Sequence, residues 1–194
     1  MIKVVSLLIL LFIPASFAQS QSSSVEGRNF ITWNEFYKLQ WHDFEGQPDQ
    51  NSIGDAGAAV QIKAEPYLVK KQVKYDVYAL FNKKKSWARD QSEALLAHEQ
   101  VHFDIAEVYA RKIRKKIKEL SDRGVDDVKT YNAAIRELLH ESNQLDEQYD
   151  LETLHGALSK KQEAWAKKVR DDLASLQQYK KPKRIIKAGG NSRH

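Results

Sequence analysis

The sequence predicts an α+β fold, a small antiparallel sheet followed by three helices, and three observations point to it. Apolar residues alternate with polar ones at Val60, Ile62 and Ala64, and again at Val73, Tyr75, Val77, Ala79 and Phe81. A period of two over such lengths marks half-buried strands. From about Asp90 the spacing lengthens to threes and fours, through Leu95, His98, His102, Ile105, Tyr109, Ile113, Ile117 and Leu120, the stripe of an amphipathic helix. Two further helical patterns follow. Strands gathered before helices, rather than alternating with them, indicate α+β rather than a parallel α/β sheet.

The elements follow in chain order. Residues 1–18 read as a signal peptide, with Lys3, an apolar run from Val4 to Ile13, and a small-residue cleavage site at Ala15-Ser16-Phe17-Ala18. That run is too short to span a bilayer, so no membrane span is expected once it is removed. Residues 19–29 read as a flexible, serine-rich leader, and residues 30–178 as a single domain. Within it, Trp33, Phe36, Trp41 and Phe44 are expected to pack against the core. Pro66 and the lysines beyond it suit the connection between the two strands, and Lys83-Lys84-Lys85 a solvated turn.

Asp90 or Ser92 is placed to cap the first helix, Glu93 lies in its first turn, and Gly124 ends it. Cations from Arg111 to Lys118 suit the C-terminal turns of that helix as a solvated set. A second helix starts near Asp126 or Asp127 and runs toward Tyr149, with Gly156 as its breaker. A third, over about 158–178, buries Ala164, Trp165, Val169, Leu173 and Leu176. Residues 179–194 form a basic tail. It lacks aromatic interleaving and any binding motif, so no specific nucleic-acid partner is expected.

The chemistry is concentrated in His98-Glu99-Gln100-Val101-His102. Histidines four residues apart on a helix stand on one face and can reach a single ion, while the intervening glutamate can take a proton from a polarised water. This is the His-Glu-x-x-His pattern of the zinc-peptidase helix, and a chance match would arise about 1% of the time. Both histidines fall inside the apolar stripe, so they face protein rather than water. The expected helix is therefore zincin-like and the expected cofactor zinc. The chain contains no cysteine, which excludes thiolate ligands, disulfides and lipoprotein attachment.

A catalytic zinc takes three protein ligands and leaves one position open. Glu107 is the right chemical type, but lies roughly 180° round the helix from His98 and suits a surface or supporting acid. The segment from Tyr149 to Gly156 gathers acid, imidazole and hydroxyl, and an antiparallel helix would return it to the pair. His155 is the first candidate for the third ligand and Asp150 the second; whichever does not bind would orient a ligand. Tyr149 is a candidate donor to a developing oxyanion, with plain packing as its alternative role. His42 and His140 lack partners at ligand spacing and default to structural roles.

Trp41-x-Asp43-Phe44-x-Gly46, Ser86-Trp87 and the block from Leu95 through His98-Glu99-Gln100, His102-Phe103-Asp104-Ile105 and Glu107 resemble a bacterial family of secreted proteins of unknown function. Tyr149-Asp150-x-x-Thr153-x-His155-Gly156, Gln162 and Trp165 extend the resemblance over about residues 30–170. Val101 stands where many relatives carry a small residue such as glycine. The family is described as predicted zinc-dependent proteases. The resemblance therefore implies a periplasmic or secreted metallopeptidase acting on a peptide or protein in the envelope or outside the cell, with Glu99 as general base. The alternatives are a zinc amide hydrolase acting on cell-wall peptides, and a non-catalytic envelope binding or scaffold protein whose metal is structural or absent.

Overall fold

A computed structural model describes residues 29–70 and 72–181. The expected signal peptide, the leader up to residue 28, and the tail beyond residue 181 lie outside the described residues. The described chain runs β1 (Phe30–Thr32), β2 (Ala56–Gly57), β3 (Val60–Val69), β4 (Gln72–Asn82), β5 (Trp87–Ala88), α1 (Glu93–Asp122), α2 (Val128–Thr153) and α3 (Ser159–Ser175). Short 3-10 turns stand at Trp41–Asp43 and Gln177–Tyr179. The small antiparallel sheet and three helices of an α+β fold are present, and no helix among the described residues is long and apolar enough to cross a membrane.

Helix α1 is the spine. Ser92 caps it, its hydroxyl accepting the Leu95 N–H, and Gly124 ends it at φ +73°, a backbone angle that glycine adopts without strain. The expected stripe is only half of its buried surface. Phe103, Ala106, Ala110 and Ile113 pack under Val77, Ala79 and Phe81 of the sheet. Val101, Ile105, Val108 and Tyr109 pack against Tyr149, Trp165 and Val169 of α2 and α3. From Val101 to Arg111 the helix is buried on every side. It lies between the sheet and a helical pair, so one-sided amphipathicity underestimates its burial.

The main sheet has the order β1-β4-β3, all antiparallel. Pro66 sits inside β3 opposite Tyr75, not in the connection, which is shifted to Lys70 at φ +49°. An edge strand tolerates proline because one side of it has no neighbour needing its N–H. Strands β2 and β5 pair separately, Gly57 opposite Trp87. A Cβ at Gly57 would stand 3.1 Å from the indole nitrogen, so any side chain there would crowd Trp87.

The segment before the sheet is tied to α1 by polar contacts. The Trp33 indole donates to Asp104 at 2.7 Å, Gln100 donates to the same oxygen at 2.8 Å, and the Leu39 N–H donates to Gln100 at 2.9 Å. Trp33 and Phe44 pack on the core as expected, whereas Phe36 is 73% exposed. Arg111 departs from its expected place on a solvated face. It is buried, bonded to Glu107 at 2.9 Å and to the Leu173 carbonyl at 2.6 Å. Glu107 is likewise buried, held by Arg111 and Arg114, rather than on the surface or supporting a ligand. Beyond α3, Lys181 pairs with Asp76 of β4 at 2.8 Å.

Candidate metal centre

The site is built where the N-terminal half of α1 meets the C-terminal end of α2. His98 and His102 stand one turn apart on α1, their Nε2 atoms 3.2 Å from each other. Asp150 projects from α2 between them, its Oδ1 3.1 Å from each Nε2. Among the described residues these three form the group of ligating side chains whose donor atoms converge.

The triangle suits a small divalent cation. With metal–ligand bonds of about 2.0–2.1 Å, neighbouring donors on a tetrahedral centre are separated by about 3.3–3.4 Å, within a few tenths of the edges found here. Two imidazoles and a carboxylate are a zinc donor set of the type that leaves a position open.

Each histidine is fixed from behind. His102 Nδ1 bonds to Asp146 Oδ1 at 2.7 Å, and His98 Nδ1 lies 3.1 Å from Gln162 Oε1. With the ring proton on Nδ1 in both, the two Nε2 lone pairs point together. Asp146 is absent from the sequence expectations. Its signal is the Asp146–Asp150 pair, four residues apart on one face of a helix. Burial alone would lower the His102 pKa, but its bonds to Asp146 and Asp150 outweigh that and raise it to about 10. Burial would raise Asp150, yet the two imidazoles hold its carboxyl well below the usual range.

Glu99 faces the same cleft, 3% exposed, its carboxylate accepting the Ala58 N–H at 2.7 Å. Burial pushes its pKa up, opposed by the two histidines and by the Ala58 N–H. The cleft is small, about 130 Å³, walled by Gly54 to Ala58 opposite the three donors.

His155 falls outside the converging group. Its Nδ1 lies 3.5 Å from Asp150 Oδ1 and its side chain is partly exposed on the cleft wall. Of the two candidates for the third ligand, the last turn of α2 brings Asp150 into the converging group before the chain reaches residue 155. Leu154, His155 and Gly156 then turn in the left-handed region at φ +48°, +52° and +87°. Gly156 passes so close to His98 that a Cβ would stand 3.1 Å from its Cβ and Cγ.

Tyr149 lies on α2 behind His98. It is fully buried, stacks on His98 with centroids 4.7 Å apart, and its hydroxyl donates to Gln162 at 2.7 Å. It supports the imidazole and does not line the cleft. The Gln162 carbonyl thereby serves both Tyr149 and His98, while its Nε2 is buried without a partner among the described residues. His42 and His140 are exposed and remote from the donors.

A family model for a bacterial protein of unknown function, DUF922, matches residues 25–156 and so includes both histidines, Glu99, Asp146 and Asp150. The chain belongs to this family. Neither a curated protein nor a solved structure matches it.

Proposed function

We propose that the chain is a zinc-dependent hydrolase that cleaves peptide bonds in the cell envelope or outside the cell. The observation that carries this reading is the triangle of His98, His102 and Asp150 with the buried carboxylate of Glu99 beside it in one cleft. His98, His102 and Asp150 would hold the ion. Bound there, zinc would supply Lewis acidity, polarising a carbonyl and lowering the pKa of water to about 7.

The chain's own groups divide the remaining work. Glu99 takes a proton as general base and returns it to the leaving amine as general acid. Its burial favours the protonated form and the nearby imidazoles favour the ionised one, a balance suited to a group that must do both. The Ala58 N–H fixes one carboxylate oxygen and leaves the other free for proton transfer. Asp146 and Gln162 hold the rings, and Tyr149 fills the space behind His98.

A purely structural metal would be enclosed by four protein ligands and would need no neighbouring carboxylate base. Three converging donors on a cleft favour catalysis. A zinc amide hydrolase acting on cell-wall peptides would use the same groups, and substrate profiling separates the two.

The test is hydrolysis of an unstructured protein and of a mixed peptide library by the zinc-loaded chain and by Glu99→Gln. The expected result is cleavage by the parent, reduced about 10²–10⁴-fold in the variant while its zinc is retained. Equal activity in both, or no cleavage of any peptide substrate by a fully zinc-loaded parent, would overturn the reading.

A further inference from the structure

We propose that the tip of the β3–β4 hairpin is a docking element for a membrane surface rich in anionic lipid. The hairpin is anchored to the helices only part of the way along. Its last anchor is Tyr75, which stacks on Tyr131 with ring centroids 5.6 Å apart and donates to Asn132 at 3.0 Å. Beyond that point Tyr67, Leu68 and Val69 are 45%, 72% and 44% exposed. Their register, Tyr67 with Lys74, Leu68 with Val73 and Val69 with Gln72, places apolar side chains on both faces of the tip.

Charge defines the partner. The stretch from Pro66 to Tyr75 contains Lys70, Lys71 and Lys74 and no acid. The acids that flank it are engaged by other lysines, Glu65 with Lys63 at 2.9 Å and Asp76 with Lys181 at 2.8 Å. The tip itself therefore carries lysines and no acid. A partner must accept large apolar side chains and several ammonium groups together. An anionic bilayer interface does so, taking Leu68 and Val69 below the headgroups, Tyr67 at their level and Lys70 and Lys74 among the phosphates.

The position along the fold is also informative. The hairpin is anchored beside Tyr131 near the start of α2, whereas Asp150 lies near its end. They stand nineteen positions apart on the helix, about 29 Å along the axis. Docking through the tip would hold the metal centre away from the bilayer with its cleft unobstructed.

The chain has no cysteine, so a single introduced one takes a label at one position. In the chain from residue 19, free of the apolar run Val4 to Ile13, Leu68→Cys would carry an environment-sensitive fluorophore, and Lys160→Cys, at the opposite end in α3, would serve as reference. Both would be titrated with vesicles of phosphatidylglycerol and phosphatidylcholine, and with phosphatidylcholine alone. The expected result is a blue-shifted, several-fold brighter signal at position 68 with anionic vesicles and none at position 160. Affinity should weaken at least about tenfold with neutral vesicles, and likewise in Lys70→Glu/Lys74→Glu, whose changes lie on the surface. No response at position 68, an equal response to both vesicles, or a response to protein concentration alone would overturn it, the last identifying a second copy as the occupant.

Discussion

Asp146 and His102 are joined by a 2.7 Å hydrogen bond on the side of the imidazole away from the converging donors. The bond settles which ring nitrogen carries the proton and holds the ring plane. An effect of Asp146 on an ion held by the triangle would therefore be transmitted through the His102 ring. Asp146→Asn should weaken zinc binding about 10–100-fold without abolishing it, as read by competition with a chelator of known affinity. Unchanged affinity would mean that packing alone orients His102.

The same bond makes the metal-free protein sensitive to pH. His102 is raised from 6.5 to about 10 in the folded chain, despite the opposing effect of its burial. A group raised on folding contributes stability that is complete below its unfolded value and is lost as pH rises through the folded one. In excess chelator, the melting temperature of the parent should therefore decline between pH 6.5 and about 10 relative to His102→Gln. Zinc requires the neutral ring, so saturating zinc should remove the decline. A parent that gains stability relative to the variant across that window would contradict the assignment.

Glu107 and Arg111 are a buried pair in the middle of α1, well separated in role from the donors. Glu107→Gln leaves the guanidinium without its charge partner in the interior. The expected loss is about 3–5 kcal/mol in urea unfolding, with zinc stoichiometry in the folded fraction unchanged. A loss of zinc without a loss of stability would place Glu107 in the metal centre instead.

Much of this was legible in the residues, and the exceptions have physical causes. The His98–His102 spacing, the Ser92 cap and the two long strands follow from local periodicity and turn chemistry, which act over a few residues. Strand β1 and the β2–β5 pair depend on neighbours distant in sequence, so periodicity does not reveal them. The burial of Arg111 was hidden for the same reason, because a basic run at a helix end reads as solvated until other elements cover it. At the site, the Tyr149–Gly156 segment offers both Asp150 and His155 by residue type. The four-residue spacing of Asp146 and Asp150 marks a shared helical face, and α2, still regular at residue 150, aims both side chains at α1.

The measurement that tests the central claim most directly is zinc per chain by elemental analysis, made on the parent, His98→Ala, Asp150→Ala and His155→Ala after equilibration with zinc and removal of excess. The triangle predicts about one zinc in the parent and in His155→Ala, and essentially none in His98→Ala and Asp150→Ala. Zinc retained by Asp150→Ala and lost from His155→Ala would contradict it.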